Sequence, residues 1–384
     1  MPLSDISFVA LHQNGTLLDD FLADLASQRP AWRVGAALRL PRHRLGYCVE
    51  KLDSWQPNAA YGLADPETRL MLLPYRNRGR GRDDHAYVQE SDPAANRSRF
   101  VTQTLRAQAA AGRDVLISPW LIYGTSGNKR ELQVTLDLAA RAQVHPLTEG
   151  RTLLAGFEAT EAIFADKAQR DAMLDEITEL EGAPIYLRMT TPATLTGRRQ
   201  YDNEHAIAGL RAAIEALSEN GHPVLLPQTG LAGWLMLPYG GLCFGAGIPG
   251  TLQRSPMPVA SSGGGGGQPP LQWYFEPQLL GFVRADELGD LARVAGATTC
   301  DCPYCTARPP APGAGFDPSS ADKHFLWWCV RLADEVRQAT DRAATVRRRV
   351  EAAEQHWRAV QRAGVVLDDR SQPTHLGAWT RVVA

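Results

Sequence analysis

Short apolar runs that alternate with helical patterns decide which fold class this 384-residue chain can adopt. The runs lie at 34–40, 70–74, 115–120, 153–157, 185–189, 224–227, 242–247 and 273–275. Clear helical patterns lie between several of them, at 130–142, 167–180 and 205–217. Strands that alternate with helices of about 10–15 residues are typical of parallel β/α units. These runs therefore predict an α/β fold built as a (β/α)8 TIM barrel.

A cluster of cysteines near the end of the chain predicts a metal site. Cys300, Cys302 and Cys305 form a C-x-C-x-x-C motif, which supplies three of the four ligands of a tetrahedral zinc site. His324 is the favoured fourth ligand and Cys329 is the alternative. The alternative is that these three cysteines are reduced thiols on a loop and bind no metal. Four protein ligands leave no open position, so we predict a structural Zn²⁺ that ties the C-terminal helix to the barrel.

These features divide the chain into two predicted parts. Residues 1–295 are expected to form the barrel, with an Arg-rich insertion at about 76–113 and a Gly-rich linker at 261–270. Residues 296–384 are expected to form a zinc-binding subdomain and one long C-terminal helix over 322–363, packed on the barrel.

Composition excludes several classes of protein. A net charge of −2 does not indicate a nucleic-acid binder, although a near-neutral chain can still carry local basic patches. Six unevenly spaced cysteines do not form a secreted disulfide framework. No run approaches the ~18 apolar residues that span a bilayer, and the N-terminus lacks the pattern of a signal peptide. We therefore expect a cytoplasmic protein with no membrane contact.

Acidic residues that follow predicted strands are candidates for catalysis, because the active site of such a barrel lies at the C-terminal ends of its strands. Glu276 follows the last predicted strand, and Glu158 and Glu161 follow the strand at 153–157. Each has an ordinary alternative. Glu276 precedes a proline and could be a solvated loop residue, and the other two could open the next helix, where the helix dipole favours acids.

The cysteine motif and four strand-end segments together resemble the tRNA-guanine transglycosylase superfamily. His324 opens a helix after the motif, as in the zinc subdomain of that superfamily. The strand-end segments lie at 156–161, 228–233, 243–249 and 273–277. The resemblance implies a barrel that cleaves the N-glycosidic bond of a base in a nucleic acid. It places Glu276 where the superfamily has the acid that attacks the sugar C1′, and Glu158 where an acid holds the edge of the base.

The chain departs from the superfamily in two places. The early Asp-Ser-Gly-Gly motif, which supplies a second catalytic acid, is absent, and the nearest segment, at 123–128, contains no acid. Arg188-Met189-Thr190-Thr191 stands where the superfamily has the Gln-Gly pair that reads guanine. We therefore expect glycosylase-type removal of an atypical or modified base from DNA, for example in defence against phage, or from RNA. The alternatives are base exchange on tRNA or DNA, and a non-catalytic partner subunit of a transglycosylase.

Chemistry assigns roles to the candidate acids. Breaking an N-glycosidic bond builds oxocarbenium character on the sugar, which a carboxylate can stabilise or attack. A second group must protonate or hydrogen-bond the departing base. Glu276 suits the first role, and Glu158 or Glu161 suits the second.

Nucleic acid is the expected partner, and a homodimer is the candidate assembly. The residues predicted to contact the base and sugar are Gln228, Thr229, Gly230, Trp234, Tyr239, Arg188 and Arg198. The residues predicted to contact the nucleic-acid backbone are Arg76, Arg78, Arg80, Arg82, Arg347 and Arg348. The alternatives are solvated charge for the arginines and ordinary packing for Trp234 and Tyr239.

Overall fold

The computed structural model of the chain describes residues 7–11, 16–40, 45–68, 94–124, 129–180, 182–192, 200–247, 255–256, 272–294, 300–307 and 317–384. Several sequence predictions lie outside these residues: the strand at 70–74, the Gly-rich linker, and Arg76, Arg78, Arg80, Arg82 and Arg198.

The parallel strands of the main sheet form a nearly closed barrel. The described strands are β1 (Phe8–Leu11), β2 (Val34–Arg39), β3 (Tyr61–Asp65), β4 (Val115–Ile117), β5 (Ile122–Tyr123), β6 (Thr152–Thr160), β7 (Ile185–Thr191), β8 (Val224–Leu226), β9 (Gly241–Ala246), β10 (Ser255–Pro256), β11 (Trp273–Glu276) and β12 (Gly281–Arg284). Hydrogen bonding gives the order β3-β2-β1-β9-β8-β7-β6-β4. β5 pairs with β6 further along the strand than β4 does, and β10 pairs with β7. The predicted α/β class with an eight-strand parallel barrel is confirmed.

The barrel uses two strands that the sequence pattern did not reveal, β1 and β3. The prediction that 273–275 forms a barrel strand is wrong. β9 pairs directly with β1, and β11 instead pairs antiparallel with β12, with Phe275 opposite Phe282. The apolar pattern of β11 reflects burial against α11 instead. Phe275 packs edge-on against Phe325, 5.2 Å away between ring centroids.

Helices surround the barrel and extend beyond it. They are α1 (Leu17–Gln28), α2 (Leu45–Trp55), α3 (Arg97–Ala110), α4 (Arg130–Gln143), α5 (Glu161–Ala165), α6 (Lys167–Ile177), α7 (Glu204–Glu219), α8 (Gly230–Leu235), α9 (Leu288–Leu291), α10 (Pro303–Ala307), α11 (Pro318–Gln338), α12 (Arg342–Arg362) and α13 (His375–Val383). The single helix predicted over 322–363 is wrong. Ala339 is extended, with ψ of 136°, and the Asp341 side chain caps α12 by accepting from the Ala344 N–H at 2.9 Å.

Helix α11 connects the barrel to the C-terminal region. One side of it contacts β1, α1 and α8, so it covers the barrel wall where β9 meets β1. The Trp234 indole N–H on α8 donates to the Leu332 carbonyl at 3.1 Å across this contact. The hairpin of β11 and β12 also packs on α11. The residues predicted to bind a metal are therefore held outside the barrel wall.

The indole of Trp120 fills the inside of the barrel near the C-terminal ends of its strands. It belongs to an interior cluster with inward-facing residues such as Leu154 and Tyr186. Gly156 on β6 makes room for it, since a Cβ at that position would lie 2.4 Å from the Trp120 ring and 2.7 Å from the Ser118 carbonyl oxygen.

Replacing Gly156 with alanine should therefore destabilise the protein by about 1–3 kcal/mol, because the backbone oxygen cannot move away and the indole must shift. Urea unfolding measures the loss, and tryptophan emission reports the displaced ring. Gly46→Ala is the control, because among the described residues no atom outside the backbone of its own helix lies within 4 Å of its added Cβ. Equal stability of both variants would contradict this account of the barrel interior.

Candidate functional site

Charged residues converge at the C-terminal ends of the barrel strands. Arg39 and Asp65 end β2 and β3 and are register partners. Glu158 on β6 and Arg188 on β7 are also register partners. Glu67 follows β3, and we call these five residues the mouth cluster. The two carboxylates at the end of β3 are at most 1% exposed, Glu158 is 2% exposed and Arg188 is fully buried.

A buried ion pair holds one side of the mouth cluster. The Arg188 guanidinium donates to Asp65 Oδ2, which also accepts from the Tyr186 hydroxyl at 3.0 Å. Arg39 donates to Glu67 Oε1 at 3.3 Å, and an Arg188 nitrogen lies 4.0 Å from the same oxygen. Burial disfavours the Arg188 charge, but Asp65 beside it raises the pKa of Arg188, so the guanidinium stays charged.

Glu158 is oriented by three donors from three different segments. The Trp120 indole N–H donates to Oε2 at 2.8 Å. The hydroxyls of Thr190 and Ser255 donate to Oε1 at 2.6 Å and 2.7 Å. Trp120 also lies under Arg188, with 5.2 Å between the guanidinium carbon and the ring centroid. Glu158 is therefore a fixed acceptor that joins β6, β7 and β10 at the mouth.

Two backbone positions at this rim adopt an uncommon conformation. Glu67 has φ of 40° and Gln228 has φ of 52°, both in the left-handed region that non-glycine residues rarely enter. Each residue follows the end of a barrel strand, β3 or β8. Backbone strain of this kind costs about 1–3 kcal/mol and concentrates at functional sites.

The predicted base-contacting residues after β8 divide between the rim and the core. Gln228 is 1% exposed, directly after the strand, and Thr229 donates its hydroxyl to the Leu226 carbonyl at 2.7 Å. Gly230 begins α8. Trp234 is fully buried and hydrogen-bonded beneath α11, so it cannot clamp a base at the mouth.

Other predicted site residues lie elsewhere. Tyr239 precedes β9, at the opposite end of the barrel from Glu158, and its ring stacks 3.9 Å from the Arg211 guanidinium carbon. It therefore does not lie at the mouth. Glu161 opens α5, which agrees with the helix-start alternative. Arg347 and Arg348 lie on α12, and Arg348 is exposed.

Asp65, Glu67 and Arg39 were missed by sequence reasoning. The short run 61–65 ends in an acid directly before a proline, and this is the signal that could have identified β3 and its carboxylate.

The predicted metal ligands come together in space. The ligand atoms of Cys300, Cys302, Cys305 and His324 all lie within 4.8 Å of one another. His324 Nδ1 is 3.6, 3.2 and 3.3 Å from the three sulfurs in that order. Tetrahedral zinc, with bonds of about 2.0–2.3 Å, places sulfur and nitrogen about 3.5 Å apart. These four residues, which we call the metal group, can therefore hold a metal ion such as zinc.

The surroundings of the group prepare its atoms for a metal. His324 Nε2 donates to the Phe275 carbonyl at 2.8 Å, so the Nδ1 lone pair faces the cysteines. The Trp328 indole N–H donates to Cys300 Sγ at 3.3 Å, which favours the thiolate form. Cys329 is buried in the core and is not part of the cluster, so the alternative fourth ligand is wrong.

Glu276 lies beside this group rather than at the barrel mouth. It ends β11, and it lines a cavity of about 840 Å³ together with Cys300 and Cys305. Burial raises the pKa of Glu276 to about 7, while the Gln278 N–H opposes the rise. Its predicted place at the end of a barrel strand is wrong, because β11 is outside the barrel.

Comparison with family models and curated sequences assigns this chain to no family. Models of protein families give no match, and the curated proteins give no similar sequence. Among the described residues, no helix is both long and apolar enough to cross a membrane. The chemistry of the protein must therefore be inferred from its own residues.

The pKa of Glu276 predicts how pH affects stability. Because its folded pKa of about 7 exceeds the ordinary glutamate value of 4.5, its contribution to stability is fully present below pH 4.5 and is lost as pH rises towards 7. Arg331, Arg349 and His356 line the same cavity. Comparison of urea unfolding at several pH values should show Glu276→Gln gaining stability relative to the parent protein over this range. A difference in unfolding free energy between the two proteins that does not change with pH would contradict the raised pKa of Glu276.

Proposed function

We propose that the barrel mouth cleaves the N-glycosidic bond of an atypical or modified base in a nucleic acid. The observation that carries the proposal is the composition of the mouth cluster. Among its five residues, three carboxylates face two guanidiniums in a buried site at the C-terminal ends of the strands. Barrels of this type place their chemistry at that rim.

The charge of the mouth cluster suits this reaction. Cleavage develops positive charge on the sugar, and the cluster carries an excess of one negative charge when its five groups are ionised in this buried site. At an effective dielectric constant of 20, two unit charges 4 Å apart interact by about 4 kcal/mol. A fixed negative field of this size lowers the energy of the oxocarbenium-like state more than that of the neutral substrate.

The residues of the mouth cluster suggest different roles. Asp65 and Glu67 are the candidate acids that face the sugar. Asp65 ends β3 and Glu67 follows it, and β3 and β4 are the two ends of the described strand order. Glu158 is a positioning residue, since its oxygens already accept three hydrogen bonds. A base must leave the helical stack to reach such a rim, which favours mismatched, modified or single-stranded targets.

The metal group supports the same proposal. Its Cys3His set, with the histidine near the start of α11, resembles the zinc subdomain of the transglycosylase superfamily. We infer a structural zinc, because four protein ligands complete a tetrahedron and leave no position for substrate.

The test is release of base from normal and modified DNA and from tRNA. Glu67→Gln and Asp65→Asn should each slow release by about 10²-fold or more, because each removes one negative charge but keeps the shape of the side chain. Glu351→Gln, on the exposed side of α12, is the control. Loss of release in Glu276→Gln but not in Glu67→Gln would place the chemistry beside the metal group and overturn this proposal.

The same assay distinguishes two alternative functions. Uptake of labelled base into the polymer without net release would indicate base exchange. Two observations favour a non-catalytic partner subunit: Glu158 already accepts three hydrogen bonds, and Asp65 is paired with Arg188. A purely structural network needs the same contacts. Absence of release and uptake on every substrate, with activity restored by a second protein, would support that alternative.

A further inference from the structure

The cavity beside the metal group is separate from the barrel mouth and has no role in the proposed function. Its walls come from β11, α9, the cysteine loop, α11 and α12. Its volume of about 840 Å³ lies within the range of about 300–1,000 Å³ that is typical of small-molecule sites. The described residues that line it include none of the mouth cluster.

Two carboxylates line the cavity, and Asp301 is the one paired with an arginine, whereas Glu276 forms no ion pair within the described residues. Glu276 Oε1 accepts a single hydrogen bond, from the Gln278 N–H at 3.0 Å. Within the described part of the chain, no group donates to Oε2, and no lysine or arginine pairs with this side chain. A carboxylate can accept about four hydrogen bonds, so most of its capacity faces the cavity.

The cations in the cavity wall are already neutralised. Arg331 donates to Asp301 at 2.7 Å, and Arg349 donates to Glu335 at 2.7 Å. Burial lowers the pKa of His356, which favours its neutral form. The carboxylate of Glu276 therefore adds uncompensated negative charge to the cavity.

Apolar and aromatic side chains form much of the remaining described wall. Leu288 and Leu291 of α9 and Ala353 of α12 are buried, and the Trp328 ring packs edge-to-face with His324, 6.5 Å between ring centroids. We propose that this cavity binds a small molecule with a cationic amidine or amine head on a planar apolar body, with the head on Glu276. This proposal does not depend on the activity of the barrel mouth.

Three probes of one shape and different charge test the proposal: benzamidine, benzamide and benzoate. Calorimetric titration of the full-length, zinc-loaded protein is made at about pH 8, above the pKa of about 7 of Glu276. Benzamidine should bind at a single site at least about tenfold more tightly than the other two, because only its head forms a charge-assisted pair with a carboxylate. Equal binding of all three, preference for benzoate, or no binding would overturn the proposal.

Two variants locate the site. Glu276→Gln should weaken benzamidine binding by at least about tenfold. Ala352→Trp narrows the cavity from an exposed position on α12, so it should block the probe without disturbing the core. Glu351→Gln, on the neighbouring position, should bind normally, and circular dichroism checks that all variants are folded. Unchanged affinity in both Glu276→Gln and Ala352→Trp would mean that the probe binds elsewhere and would refute the site.

Discussion

Replacing Cys302 with serine should remove the metal from the protein and lower its stability by several kcal/mol. Cys302 is fully buried, and its sulfur lies 3.2 Å from His324 Nδ1. A structural zinc contributes its binding free energy to folding, which reaches about 10–16 kcal/mol in zinc-finger peptides. The effect should centre on the start of α11, because the metal group joins the cysteine loop to that helix and to the carbonyl of Phe275 on β11.

Elemental analysis and thermal unfolding measure this result. The parent protein should contain one zinc per chain, and strong chelators should lower its melting temperature as the Cys302→Ser variant does. Cys329→Ala is the matched control, because this buried cysteine lies in the core but outside the cluster. It should keep its zinc and lose only packing energy. Full zinc content in Cys302→Ser would show that the four residues are not the ligand set.

The metal group could be predicted from sequence because most of its geometry is local. Three cysteines on one tight turn can reach a common point whatever the rest of the chain does. The fourth ligand needed one further step, a histidine expected to open a helix; in the structure α11 begins at Pro318, and His324 lies in its second turn. The choice between His324 and Cys329 depended on which side of α11 faces the loop, and the structure resolves it in favour of His324.

The mouth cluster could not be predicted in the same way. Arg39, Asp65 and Arg188 come from three strands that are far apart in the sequence, and only strand order and register bring them together. β3 contains one tyrosine, one glycine and one acid among five residues, so its apolar signal is weak. Missing β3 removed two carboxylates from the predicted site.

The error over β11 has the opposite cause. Its sequence, Trp-Tyr-Phe-Glu, has the apolar and aromatic character of a buried strand, and it is indeed a strand. Local composition reports burial but not the pairing partner. The hairpin with β12 buries Phe275 against α11, whereas a barrel strand would bury it against neighbouring strands. Glu276 was therefore assigned to the barrel mouth, whereas it lines the cavity beside Cys300 and Cys305.

Truncating Arg188 to methionine should cost about 3–5 kcal/mol of unfolding free energy, since removal of one partner of a buried ion pair leaves an uncompensated charge. Arg188 and Asp65 are both at most 1% exposed. Urea unfolding at neutral pH measures the loss. Arg141→Met is the control, because its pair with Asp137 is on the surface and should be worth at most about 1 kcal/mol. A similar loss in the two variants would mean that the Arg188 pair is not sealed from solvent.

The same variant should become less damaging in acid. Burial raises the pKa of Asp65, and the charge of Arg188 opposes that rise in the parent protein. Without the guanidinium, the pKa of Asp65 in the folded protein rises further above its value of about 3.9 in the unfolded chain. Below about pH 3.9 the carboxyl is protonated in both states, so the variant buries no unpaired negative charge there. The penalty should grow as pH rises through the folded pKa. Adding Asp65→Asn to Arg188→Met should recover much of the loss at neutral pH, because the double variant buries no unpaired charge at this position.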